Sequence, residues 1–180
     1  MLFPLQFRPK EDYHKGKGHK RWFGAPRTSV RKHAGCDLFA PEGTAILAVE
    51  DGTVLRYNAK FYHGTGALEV DHEVFIVRYC EISPRLPAGM NFKPGSPVLR
   101  GQVIAYVGKM TGGSHMLHFE MYLGTETGPL TDRKKTGGPF QRRKDLLDPT
   151  PYLDTAVLDS GGGVEALPTF IGPGSVIRRA

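Results

Sequence analysis

Apolar and polar positions alternate with a period of two along much of this chain, in short runs cut apart by glycine and proline. TAILAVE (44–50), GTVLRYN (52–58), GALEVDH (66–72), VFIVRYC (74–80), QVIAYVG (102–108) and MLHFEMY (116–122) carry the β-branched and aromatic residues that suit a pleated, half-buried surface. Turn signals stand between them in EDGT, HGTG and KPGSPVLRG. Helical periodicity is scarce, and KDLLDPTPYLD (144–154) predicts one short helix or turn. This spacing predicts an all-β fold, an antiparallel sandwich or barrel-sandwich with long loops at one end. Beyond residue 154 the alternation is lost and glycine rises, which predicts a domain over 1–154 and a weakly ordered tail over 155–180.

Composition narrows the class. The 180 residues suit one domain, and 39% hydrophobic content suffices for a real core. No apolar run approaches the ~18 to 20 residues needed to span a bilayer. The start, MLFPLQFRPKEDYHKGKGHKRW, has a short apolar stretch that contains Pro4 and precedes the charges, unlike a secretory signal. Export by the usual signal-peptide route is therefore not expected, which leaves a specialised secretion or lysis route, or a cytoplasmic location. Two cysteines, Cys36 and Cys80, are too few for a disulfide framework. They read as buried thiols, with a single bridge between them left open. The net charge of +6 clusters in HKGKGHKR, RKH and DRKKTGGPFQRRK. Such clusters make either a solvated face or a surface that attracts a polyanion. No helix-turn-helix, zinc-finger or ribonucleoprotein motif accompanies them, so nucleic acid is not the expected partner. An anionic wall polymer or membrane surface satisfies the same electrostatics.

Candidate chemistry lies in two stretches. In GGSHMLHFEMY strand alternation puts His118 and Glu120 on one face and His115 on the other, unless a bulge near Gly113–Ser114 brings His115 round. In RKHAGCDLF, His33 and Asp37 are four apart and share a face of an extended segment. Two imidazoles and a carboxylate, with a fourth position left for water, make the donor set of a catalytic zinc site. Alternation turns Cys36 and Cys80 to the opposite face from these groups, into the core.

Taken in order, HAGCDLFAPEGTAILAVEDGTV, VLRGQVIAYVG and LHFEMY resemble the LytM/lysostaphin-like zinc endopeptidases, which cut peptide cross-links in bacterial peptidoglycan. The resemblance spans about residues 30 to 125, and FQRRKDLLDPTPYLD is similar to the end of a subgroup of these domains without signal peptides. It implies a LytM-like sandwich of the duplicated hybrid kind, acting in the periplasm or cell wall on peptidoglycan peptide stems. It also implies one zinc ion held by His33, Asp37 and His118, and residues 1–29 forming an arm along the rim of a cleft. On that rim Tyr13, Trp22, Arg27 and Tyr62 could contact substrate. Without a signal peptide, a secretion-system or phage partner would deliver the chain.

Two departures from the family pattern bear on catalysis. The family has histidine where this chain has Met116 and where it has Glu81. Glu81 has the chemistry of a general base, and His115 could serve instead if a bulge shifts it by one residue. The plainer alternatives are that His115 is an exposed turn residue and that Glu81 pairs with Arg78 or Arg31. His72 reads as a satisfied polar residue, and His14, His19 and His63 as loop residues. The missing histidines also permit a second reading, a catalytically degenerate, zinc-containing wall-binding or regulatory module. A third, a lipoyl- or biotinyl-type carrier with Lys109–Met110 in a hairpin, leaves H-x-x-x-D and H-F-E without purpose.

Overall fold

Each of the six alternating segments forms a strand in the structure, a computed structural model that describes residues 1–159. The strands are β1 (Cys36–Phe39), β2 (Ala45–Leu47), β3 (Gly52–Tyr62), β4 (Thr65–Asp71), β5 (Ile76–Ile82), β6 (Pro97–Val98), β7 (Val103–Tyr106), β8 (Met116–Tyr122) and β9 (Leu146–Leu147). KDLLDPTPYLD supplies β9 and a short helix, α1 (Thr150–Thr155). Seven strands make one antiparallel sheet in the order β1-β8-β5-β4-β3-β6, with β9 also on β8, and β2 pairs β7 in a second sheet. This is the expected antiparallel sandwich. The tail expected over 155–180 lies, from residue 160 onward, outside the described residues. Among the described residues no helix is long and apolar enough to cross a membrane.

The core fills the space between the sheets. Leu38, Leu68, Tyr79, Leu117 and Phe119 of the large sheet meet Ile46, Ile104 and Ala105 of the small one, all fully buried. The first residues belong to this core rather than to a surface arm. Phe3 and Leu5 are fully buried, and the Leu47 N–H donates to the Pro4 carbonyl (2.9 Å).

Strand β8 is central. Leu117, Phe119 and Met121 alternate into the core, which sends Met116, His118, Glu120 and Tyr122 to the other face. That second face is covered as well, so the whole strand is buried. Polar side chains on it must therefore find partners, because an unpaired buried polar group costs ~1–3 kcal/mol.

Candidate metal centre

Asp37 and His118 are direct cross-strand partners in the β1–β8 pair, and opposed residues share a face. His33 reaches them from just before β1, across Gly35. A Cβ on Gly35 would collide with the Phe119 carbonyl, so only glycine lets this segment lie against β8. The result is a triangle of donor atoms. His33 Nε2 lies 2.9 Å from His118 Nδ1 and 2.9 Å from Asp37 Oδ1, and His118 Nδ1 lies 2.8 Å from the same oxygen. All three residues are buried at the floor of an open cleft of about 780 Å³.

Their outer partners decide which ring nitrogens carry protons. His33 Nδ1 faces the Trp22 carbonyl (2.9 Å), which can only accept, so Nδ1 is the N–H and Nε2 is bare. His118 Nε2 faces Glu120 Oε1 (2.9 Å). Burial opposes charge on Glu120, but its pairing with Arg142 and Arg78 outweighs it, holds the carboxyl well below the usual range and keeps it an ionised acceptor. Nε2 is therefore the N–H of that ring, and Nδ1 turns inward. Two imidazole lone pairs and a carboxylate oxygen thus converge within hydrogen-bonding distance, each ring oriented from behind by an acceptor. This is the donor set and outer-shell arrangement of a divalent-metal site, and the residues fit a cation such as zinc. Arg27 Nη2 donates to Asp37 Oδ2 (2.8 Å), which fixes the carboxylate and leaves Oδ1 for the centre.

A proton can bridge the same three donors. Burial opposes charge on His118, but the bonds to Asp37 and Glu120 outweigh it and raise its pKa to about 10. Burial lowers that of His33. A cation bound here would have to displace the His118 proton, so its affinity should rise about tenfold per pH unit between pH 7 and 9. Calorimetry in buffers of different ionisation heat should show about one proton released per ion bound. Uptake without proton release would mean that His118 enters the site neutral.

Glu81 lines the same cleft, for a reason that alternation alone does not supply. On β5, Cys80 pairs with Ala67 and Ile82 with Gly66, so Glu81 is the extra residue of a β-bulge. Its φ of 62° lies in the left-handed region, a strained conformation for a side-chain-bearing residue. The bulge sends consecutive side chains, Cys80 and Glu81, to the same side of the sheet. Glu81 Oε2 is buried and unpartnered among the described residues. Burial foremost, with the Asp37 charge adding to it against His118, pushes its pKa up to about 7. The alternative pairing with Arg78 is not found, because that guanidinium binds Glu69 and Glu120.

The expectation that Cys80 turns away from the site is corrected by the same bulge. Its sulfur lies within 4.8 Å of ligand atoms of His118 and Glu120. It is fully buried, and burial raises its pKa well above the usual thiol value. Cys36 does face away, into the core, and both cysteines are free.

His115 lies outside the cleft lining. Its Nδ1 bonds the Ala40 carbonyl (2.9 Å), and β8 pairs with β1 in unbroken register from Met116, so no bulge carries His115 round. Met116 faces the cleft in its place. Of the four rim residues, Arg27 and Tyr62 line the cleft. Tyr13 is buried in the core and donates to Asp154 (2.9 Å), and Trp22 serves through its backbone carbonyl. His72 is satisfied by the Asp51 carbonyl and the Tyr79 hydroxyl. The pairing of Arg142 and Arg78 with Glu120 has no signal in the sequence. Their partner Glu120 shows itself in the sequence by its place two residues from His118, but nothing there marks the arginines.

A family model for peptidase family M23 matches residues 31–129, a stretch that contains His33, Asp37, Glu81 and His118. Among solved structures the chain is similar to the catalytic domain of the antimicrobial peptidase lysostaphin from Staphylococcus simulans. The two are 22% identical with a TM-score of 0.54, over 79% of this chain and 93% of that one. LytU is 28% identical with a TM-score of 0.54, over 80% of this chain and 89% of its own. A catalytic-domain variant of the prophage-encoded protein EnpA from Enterococcus faecalis is 20% identical with a TM-score of 0.50, over 81% and 97%. The lysostaphin and EnpA likenesses concern the fold. No curated protein sequence matches the chain significantly. The matched stretch is more than half of the 180 residues and contains every group that meets at the cleft floor, and the chain belongs to peptidase family M23, the lysostaphin-like peptidases.

Proposed function

We propose that this chain is a zinc-dependent endopeptidase that hydrolyses peptide cross-links of bacterial peptidoglycan. His33, Asp37 and His118 hold one zinc ion, and Glu81 moves the proton. The observation that supports this most is the meeting of three inward-facing ligand atoms and one unpaired carboxylate in an open cleft. When bound, zinc polarises the scissile carbonyl and lowers the pKa of water to about 7.

The chain's own groups do the rest. Glu81, with a pKa near neutrality, accepts a proton at Oε2 from the attacking water and returns it to the departing amine nitrogen. Arg27 steadies Asp37, Glu120 steadies His118, and the Trp22 carbonyl steadies His33, so the triangle stays in place through turnover. Tyr62, half exposed at the rim, offers a ring for the peptide to lie against. The site of action is then the cell wall or periplasm.

A second reading, a zinc-containing binding or regulatory module without turnover, draws on one observation. Met116, a thioether, faces the cleft where the family resemblance implies a histidine. Digestion of purified sacculi separates the two. The endopeptidase releases new amino termini, loses this activity to a chelator and regains it with added zinc. A zinc-loaded protein that binds sacculi and releases none is the module.

A further inference from the structure

Five cations line the cleft, Arg27, Arg31, Lys32, Arg133 and Arg142, against two acids, Asp37 and Glu81. Two of the five have partners, Arg27 with Asp37 and Arg142 with Glu120. The side chains of Arg31, Lys32 and Arg133 form no ion pair or hydrogen bond among the described residues. These three come from the two basic clusters, RKH and DRKK, about 100 residues apart in the sequence. The fold brings the clusters to one cleft. The Lys32 N–H donates to the Pro139 carbonyl (2.8 Å), and Phe23 stacks on Phe140 at 4.8 Å. The loop bases are fixed as well, by the Arg27 N–H to the Arg31 carbonyl (2.8 Å) and by a Thr131–Arg142 bridge. Asp132, the acid nearest to Arg133 in sequence, turns its oxygens to the Lys134 N–H and the Thr136 hydroxyl of its own loop. A merely solvated basic face would be convex and interspersed with acids. Here the unpaired cations gather on a concave surface beside the metal-ligand triangle, and like charges held together favour an anion between them.

We propose that Arg31, Lys32 and Arg133 form a subsite for a carboxylate on the peptide next to the scissile bond. The substrate is then an anionic stem peptide rather than a neutral bridge. This inference rests on the endopeptidase reading for the identity of the ligand, and its test separates the two. Guanidinium and ammonium groups bind carboxylate by charge-assisted hydrogen bonds, and an amide in the same place loses that charge.

The experiment uses synthetic cross-linked stem peptides, in which each carboxylate in turn is converted to a carboxamide, with the zinc-loaded full chain. One such conversion should lower kcat/KM by about 10- to 100-fold. The position at which it does so tells a terminal carboxylate from an internal one. Arg133→Gln and Arg31→Gln should each narrow the ratio between the two peptides, and salt should narrow it in the parent. Equal kcat/KM for carboxylate and carboxamide peptides overturns the subsite and leaves the endopeptidase standing. If no peptide is cut, the same pairs are compared by calorimetry. Tighter, arginine-dependent binding of the carboxylate form keeps the subsite and ends the endopeptidase reading. Equal binding ends both.

Discussion

Glu81→Gln should slow cross-link hydrolysis by about 10²- to 10⁴-fold and leave zinc content unchanged, the range general acid–base groups typically contribute. Glutamine keeps the size and the hydrogen-bonding capacity of the side chain but cannot take up a proton. The same substitution should raise the stability of the metal-free protein at alkaline pH. Burial raises the folded-state pKa of Glu81 from 4.5 to about 7, so between these values the folded state holds more protons than the unfolded one. Stability from this group is full below about pH 4.5 and is lost as pH rises through 7, a loss of up to about 3 kcal/mol. Denaturant titration at pH 8 should therefore find Glu81→Gln more stable than the parent, with the difference vanishing near pH 4. Lower activity without added stability would mean that the buried carboxylate has a partner in solution. Parent-like turnover would remove Glu81 from the proton path.

His118→Ala should abolish hydrolysis and weaken zinc binding by about 10²- to 10³-fold, a one-ligand share of the ~10–16 kcal/mol of a structural zinc site. It should also destabilise the metal-free fold by about 3–5 kcal/mol, because Asp37 and Glu120 would then face each other across a buried gap with no imidazole between them. His118→Gln, which fills much of that gap with a polar group, guards against mere unfolding. It should fold and still lose zinc. Elemental analysis of the purified variants reads the outcome, and full zinc occupancy in a folded His118→Gln protein would remove His118 from the ligand set.

Much of this architecture is legible because a strand repeats every two residues. The alternation in MLHFEMY alone places His118 and Glu120 together, and His118 Nε2 lies 2.9 Å from Glu120 Oε1. H-x-x-x-D needs only an extended backbone and a small residue at Gly35 to deliver both donors to one face. Features that break or outreach that repeat are not legible in the same way. Alternation from Glu81 turns Cys80 to the core, but the bulge inserts one residue and Cys80 pairs directly with His118; no local propensity marks a bulge occupied by glutamate. The two-residue strands β6 and β9 are too short to show a period. Arg142 reaches Glu120 from 22 residues away, through a loop whose basic run looks the same whether it is solvated or folded inward.

In the proposed enzyme His33, Asp37 and His118 hold one zinc ion at the cleft floor. Anomalous diffraction at the zinc edge, on crystals of the zinc-loaded protein, tests it most directly. A single strong peak is expected within bonding distance of His33 Nε2, His118 Nδ1 and Asp37. A peak instead among Cys80, His118 and Glu120, the other cluster of possible ligands in this region, would contradict it, as would no peak at the floor at all.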